Sequence, residues 1–417
     1  MVRRNVTSRY FSLQHMPRGG KEVKANLHPI PTHDRIWYTC KDMADTIHNQ
    51  DRKKTVVVAM SGGVDSSFTA ALLLERGYNV IGVHMRLHHL YARSRTSCSS
   101  GRLNKGCCSA DDVDDARMVC YELGIPFYVL DFEGDFHKTV IDNFVEEYRR
   151  GRTPYPCLMC NRYVKFDALL RKAALLDADY LATGHYARIT YDEQTGRYSL
   201  RKALDPSKDQ SYVLYHLGQD ELSRLLFPLG DLTKSEVRAL AAQRGLVTAD
   251  KPDSQEICFI PDNDYRSFLD RVAPGLARPG VMVDTAGNPV GQHSGVPHYT
   301  VGQRKGLGAL GPEPHYVVEL RPAENVVVVG TQDELMSASL TADDVHWVAR
   351  QTPDGPFRAN VKIRYRAPEV PATVTPLPGN RMRVDFDTPQ RAVTPGQSAV
   401  VYVGDEVVGG GTIERPS

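Results

Sequence analysis

No stretch of this sequence approaches the roughly 20 consecutive apolar residues that a membrane-spanning helix requires, so such a helix is not expected. Bulk charge is nearly absent as well: 51 Lys and Arg against 50 Asp and Glu leave +1. A protein that binds nucleic acid by overall cationic charge is therefore excluded, and any such surface must be a local patch. Cysteine is sparse, eight in 417 residues, and several sit in Cys-x-x-Cys or Cys-Cys contexts with no secretory signal ahead of them. That argues against a secreted disulfide framework and for a reducing compartment with metal-binding or catalytic thiols. Internal repeats and low-complexity tracts are also missing. What is present, 41% hydrophobic and 24% charged residues, is the composition of a globular protein, and the length predicts two or three domains.

The richest stretch is Ala59-Met60-Ser61-Gly62-Gly63-Val64-Asp65-Ser66-Ser67. It follows the apolar run Thr55 to Ala59, which reads as a strand buried on both faces, and precedes a helix that stops at Gly77. A strand, a Ser/Gly turn and a helix N-terminus together form an anion site. Backbone N–H groups and the positive end of the helix dipole converge there, and glycine lets a phosphate approach closely. No Gly-Lys-Ser/Thr closes the turn, so this is not a Walker loop. Ser-Gly-Gly-x-Asp-Ser instead resembles the pyrophosphate loop of ATP pyrophosphatases, which cleave ATP to AMP and pyrophosphate while adenylating a substrate. In that reading Asp65 holds Mg²⁺ beside the departing pyrophosphate, since Mg²⁺ takes one or two carboxylates plus phosphate oxygens.

Residues 1–54 are set apart. Arg3, Arg4, Arg9, Arg18, Lys21 and Lys24 face a single early acid, Glu22, and apolar periodicity is weak. The bias is compatible with a transit peptide, a disordered extension or a start codon placed too early. From 55 to 215 strands alternate with helices: Val80 to Met85, Phe127 to Leu130 and Tyr180 to Ala182 read as strands, and Ala110 to Leu123, Phe136 to Arg150 and Val164 to Leu176 as helices. That alternation predicts an α/β doubly wound parallel sheet, with ligands beyond the C-terminal strand ends. The loop, Met85 and Gly184-His185 all fall there. A small helical linker domain is expected over 216–278. Over 279–417, short alternating runs punctuated by Gly and Pro predict an antiparallel β-barrel.

Three cysteines draw attention. Cys157 and Cys160 lie in Pro156-Cys157-Leu158-Met159-Cys160-Asn161 at the entry to a helix, with Arg152, Arg162 and Lys165 nearby to favour a thiolate. Cys258 ends the polar turn Asp253-Ser254-Gln255-Glu256-Ile257 and on its own reads as a structural cysteine. No second pair of ordinary spacing completes a zinc site. Cys107-Cys108 are adjacent and poorly placed to chelate one metal.

From Thr55 to about Ile413 the chain resembles the tRNA-specific 2-thiouridylases, enzymes that place sulfur at C2 of the wobble uridine. The matching segments are Ala59 to Ser67, Gly106-Cys107-Cys108-Ser109, Thr153 to Phe166, Ala182 to Tyr186, Lys208 to Tyr212, Phe227 to Gly230, Lys251 to Pro261 and His298 to Gly308. The resemblance implies ATP on residues 59–66, Met85 and Gly184, and adenylation of the uracil O2. It also implies a sulfur donor protein that loads a persulfide on Cys258, and Cys160 as catalytic nucleophile. Implied tRNA contacts are Tyr155, Pro156, Cys157, His185, Lys208, Asp209, Gln210, Arg364, Tyr365 and Gln397. Apart from the resemblance, the basic residues around the cysteine loop, Arg149, Arg150, Arg152, Arg162, Lys165, Arg171 and Lys172, read as a cluster of phosphate contacts. Some members carry Asp at the position of Cys157, and an Asn is commoner at that of Tyr155, whose ring is suited to stack on an extruded base. With Cys157, Cys160 and Cys258 all present, a [4Fe–4S] cluster held by three thiolates is the alternative route, as in related thiolation enzymes. The other competing class is an ATP pyrophosphatase that adenylates a small molecule. The expected location is cytoplasmic, or the mitochondrial matrix if residues 1–54 are a transit peptide.

Overall fold

The structure, a computed structural model, describes residues 52–88, 110–253, 257–260, 263–308, 310 and 313–414. Residues 1–51 of the N-terminal extension, Cys107-Cys108 and Ser254-Gln255-Glu256 lie outside the described residues. In chain order the first strands are Thr55–Ala59 (β1), Asn79–Arg86 (β2), Phe127–Asp131 (β3), Tyr180–Ala182 (β4), Ala187–Asp192 (β5), Arg197–Lys202 (β6) and Leu225–Leu226 (β7). Five of them form one parallel sheet in the order β3-β2-β1-β4-β7. The apolar run at β1 explains its central place. Val56, Val58, Val80 and Ala182 face one buried cluster, and Val57, Val83 and Leu181 face another, so both sides of the sheet are covered.

Helix Val64–Glu75 (α1) covers the first face together with Ala110–Glu122 (α2). On the other face lie Asp142–Arg149 (α3) and a long helix, α4, that starts as Pro156–Met159, widens to a π-helix over Cys160–Leu169 and is regular again over Leu170–Leu175. Pro156 suits the first turn, where a missing N–H costs nothing. The widened stretch starts at the cysteine, and such local widening recurs at functional sites.

Residues 216–253 do not form a unit of their own. Strand β7 joins β4, and helix Lys234–Gln243 (α5) lies in the α1 layer, with Val237, Ala241, Leu246 and Ala249 in the same cluster as Ala70 and Leu73. The apolar stripe of α5 needs a covered partner, and α1 supplies it. A middle unit does follow helix Tyr265–Val272 (α6), but it is mostly β: Gly280–Val283 (β8), Pro289–His293 (β9), Tyr316–Arg321 (β10) and Val326–Gly330 (β11) pair in the order β10-β11-β8-β9.

The remaining strands are Met336–Trp347 (β12), Phe357–Lys362 (β13), Val370–Leu377 (β14), Arg381–Arg391 (β15), Ser398–Val403 (β16) and Glu406–Ile413 (β17). They run β12-β15-β14-β13-β16-β17, and β17 pairs back on β12, so six antiparallel strands close a barrel around its own core. The β5–β6 hairpin joins this sheet through Arg201 opposite Glu406. Val400, Tyr402 and Val407 of the barrel share a buried cluster with Tyr212, Tyr215, Phe144 and Cys160, so the barrel and the first sheet's helices are welded by common apolar contacts.

Candidate active site

Strand β1 pairs with β2 on one side and β4 on the other, so strand order reverses across β1 and β4. That crevice is where an open α/β sheet takes its ligand. Ser61-Gly62-Gly63 leaves β1 there, and Thr183-Gly184-His185 leaves β4 beside it. The two loops touch: a Cβ on Gly184 would lie 2.8 Å from the Asp65 Cβ and 3.0 Å from the Ser66 nitrogen. Gly62 sits at φ +74°, and a side chain on it would collide with the Asp112 carbonyl. The loop is braced from within. Ser66 Oγ donates to the Gly63 carbonyl at 3.1 Å and accepts from the Ser61 amide at 3.1 Å, while Ser67 Oγ donates to the same carbonyl at 2.9 Å. Gly63 caps α1 without a side chain, leaving the first N–H groups of the helix to a ligand. Met85, near the end of the adjacent β2, is half-buried.

Around Asp65 is a network of charges that the sequence reading did not anticipate. Lys234 Nζ donates to both Asp65 carboxylate oxygens at 2.7 Å, and Tyr186 O–H donates to Oδ1 at 2.8 Å. The same ammonium lies 2.8 Å from Asp253, which also holds Lys208 at 2.8 Å and Arg238 at 2.9 Å. Burial works against the Asp253 charge, but Lys208 and Lys234 outweigh it and bring the carboxyl down to about 2. Lys251 donates to the Gly62 carbonyl at 2.9 Å, to Asp112 at 2.6 Å and to Asp115 at 2.5 Å. Burial opposes its charge too, yet the two carboxylates raise its pKa. Lys251 and Asp253 belong to a stretch the sequence singles out, but their partners are far off in the chain, a pairing that only the fold reveals.

On the cysteine side, Cys160 is buried, Cys157 exposed and Cys258 half-buried, and the first and last pack on one apolar cluster. Among the described residues no three His, Cys, Asp or Glu side chains are grouped to hold a metal ion. The cations expected to stabilise a thiolate are partly committed elsewhere: Arg152 to Glu147 at 2.7 Å, and Arg162 to Asp344 of the barrel. Next to Cys160, Asn161 is buried, with its amide donating to the Val213 carbonyl at 3.4 Å.

The residues expected at a tRNA surface divide into two sets. Tyr155 stacks on Tyr365 with centroids 6.1 Å apart, and Cys157 is close enough to raise the phenol pKa of both, after burial as the main cause. Of these three Cys157 is exposed, while Tyr155 and Tyr365 are half-buried and pack against the same apolar cluster as Cys160. The second set has internal partners. Asp209 accepts from Ala203 and Ser211, Gln210 from the Tyr186 amide, and Arg364 donates to the Ala392 carbonyl. Gln397 donates to the Thr153 carbonyl at 2.9 Å and the Pro154 carbonyl at 3.4 Å, tying the barrel to the cysteine loop. His185 is buried between Phe166 and Phe227 and bonded to Thr183 Oγ1 at 2.7 Å. Burial, with Lys165 and His216 nearby, holds its pKa well below the ordinary imidazole value. Arg149 and Arg150 pair with Glu146, and Arg171 with Asp167, as on a solvated helix face.

Residues 54–262 match a family model described as the tRNA methyl transferase HUP domain, 266–331 the tRNA methyl transferase PRC-barrel domain, and 337–413 the aminomethyltransferase beta-barrel domain. Curated relatives named tRNA-specific 2-thiouridylase MnmA include that of Symbiobacterium thermophilum, 54% identical over 87% of this chain and 92% of the relative. That of Carboxydothermus hydrogenoformans is 53% identical over 87% and 98%. The solved U34-tRNA thiolase NcsA of Methanococcus maripaludis, which carries a [4Fe–4S] cluster, shares 22% identity over 57% of this chain and 74% of that one at a TM-score of 0.31, too remote to carry an argument about chemistry.

Proposed function

The chain belongs to the tRNA-specific 2-thiouridylase family, and on that premise we propose how its residues divide the ATP-dependent 2-thiolation of tRNA. ATP lies on the 59–66 loop in the crevice between β1 and β4, with its polyphosphate at the N-terminus of α1 and its base toward Met85. The wobble uridine O2 attacks the α-phosphorus, the bond to the bridging oxygen breaks, and pyrophosphate leaves with that electron pair. The uracil C2 then bears AMP, a good leaving group. A persulfide on Cys258, delivered by a sulfur donor protein, attacks C2 and expels AMP. Cys160 attacks the inner sulfur, the S–S bond breaks toward the outer sulfur, and the base keeps it as 2-thiouridine. Cys160 and Cys258 are left as a disulfide for a thiol reductant to reopen. Splitting displacement into activation and attack is the ordinary logic of covalent catalysis.

Asp65 suits Mg²⁺ carried in with ATP, because its carboxylate already attracts a cation, the Lys234 ammonium. When bound, Mg²⁺ supplies neutralisation of the phosphate charge that builds up on the leaving group. A resident [4Fe–4S] cluster is not favoured. Cys157 is exposed while Cys160 is buried, and the thiols do not form a metal-holding group among the described residues. The tRNA is placed across the Tyr155, Cys157 and Tyr365 surface, with the barrel behind it and Lys208 at its margin. The reaction is assigned to the cytoplasm.

One observation carries this reading: an intact pyrophosphate loop stands in the same layered body as two cysteines that share one apolar cluster. The test is anaerobic purification, iron and sulfide analysis, and an assay with tRNA, ATP, Mg²⁺ and a persulfide donor, reading 2-thiouridine by mass spectrometry. An iron-free enzyme that makes one AMP per thiolated base is expected. Activity that rises and falls with bound iron would overturn the persulfide route.

A further inference from the structure

Lys234 occupies a place that its own helix does not account for. It is the first residue of α5, at the positive end of the helix dipole, where a cation is disfavoured. The helix start is already complete without it: Thr233 accepts from the Glu236 amide, and Glu236 reaches back to the Thr233 amide. The side chain is only 10% exposed, and lysine is seldom buried unless paired. Its ammonium reaches away from α5, into the pyrophosphate loop, to both oxygens of Asp65, and lies 5.7 Å from the Tyr186 ring centre.

We propose that Lys234 is a further nucleotide-site residue: its ammonium occupies the Asp65 carboxylate until a metal-bound polyphosphate arrives, and then binds the departing pyrophosphate. The geometry allows the exchange without stranding a charge. Lys234 bridges two carboxylates, Asp65 at 2.7 Å and Asp253 at 2.8 Å, so releasing the first leaves the second as counter-ion. Asp253 itself stays paired with Lys208 and Arg238. Asp65 is thereby freed to accept a metal, and a compact ammonium with three donors is left facing the phosphate oxygens that gain charge as the bond to the α-phosphorus breaks. No proton moves; Lys234 is an ammonium before and after. Lys251, which has the Gly62 carbonyl, Asp112 and Asp115 as partners, braces the other side of the loop.

The inference rests on the ATP-dependent reading above, and the test separates the two. Binding of pyrophosphate with Mg²⁺, and of a non-cleavable ATP analogue, is measured by calorimetry on the full chain for wild type, Lys234→Met and Lys234→Arg. A charge-assisted hydrogen bond lost from the site weakens pyrophosphate binding about ten- to hundredfold in Lys234→Met, and Lys234→Arg restores most of it. Without nucleotide, Lys234→Met gains a Mn²⁺ site visible by electron paramagnetic resonance, and Asp65→Asn in the same chain abolishes it. If wild type binds neither ligand, the ATP-dependent reading itself fails. If wild type binds and Lys234→Met binds pyrophosphate equally well, the role of Lys234 is overturned. Should Lys234→Met not fold, the lysine ammonium resonances of wild type decide the matter: the signal missing from Lys234→Arg shifts when Mg²⁺ and pyrophosphate are added, and an unmoved signal rejects the proposal.

Discussion

At the scale of single residues the site depends on what is absent as much as on what is present. Gly184 has no side chain because Asp65 and Ser66 occupy the space a Cβ would need. Gly184→Ala therefore forces the two loops apart. Overpacking of this kind costs about 1–3 kcal/mol, and we expect a lower urea midpoint together with weaker ATP binding by calorimetry. An unchanged KM for ATP would show that the contact between the loops does not shape the site. The cysteines call for a sharper outcome. Cys160→Ala and Cys258→Ala should each abolish 2-thiouridine formation while tRNA binding, read by gel shift, stays near wild type. The Cys258 variant should still release pyrophosphate when tRNA is present, because adenylation precedes sulfur attack, while AMP stays on the base. Wild-type thiolation in either variant would remove that cysteine from the chemistry.

At the scale of elements, α5 is secured by a reciprocal cap between Thr233 and Glu236. Thr233→Ala should cost about 1 kcal/mol of stability by chemical denaturation, and a change near zero would mean that packing on α1 alone fixes the helix. The same elements show what sequence pattern conveys. β1, with three consecutive fully buried valines, and the turn after it were legible because every position follows from burial or phosphate access. The β5–β6 hairpin was not. Its two strands are only six residues each and carry three arginines between them, and the partner that draws it into the barrel sheet, Glu406, lies at the far end of the chain. β12, which reads Ser337, Ser339, Thr341 and Asp343 on alternate positions, was hidden in the same way. The stretch 216–278 reads as a helical unit of its own because α5 has its own caps and stripe; nothing local says that α1 covers it. In the site, the loop and cysteines could be read directly, whereas Lys234 and the internal ties of Asp209, Gln210 and Gln397 depend on contacts between distant segments.

At the scale of the whole molecule, the buried histidines set a limit on acid tolerance. His185 and His216 are both pushed well below the ordinary imidazole range, chiefly by burial. The unfolded chain binds their protons near pH 6.5 and the folded one does not. Their contribution is therefore complete above about pH 6.5 and is lost as pH falls below it, by about 1.4 kcal/mol per pH unit for each group. Urea midpoints should drop steadily from pH 7 to pH 5, and His185→Phe should flatten part of that slope. A midpoint that does not vary with pH over this range would contradict the neutral, buried assignment.

Gln397 reaches back from the barrel to the carbonyls of Thr153 and Pro154, 244 and 243 positions earlier. On the ribosome the strands of the first sheet are made before the residue that fastens its cysteine loop has been added to the chain. The cysteine loop is therefore tied to the barrel only after Gln397 has been translated and has left the exit tunnel.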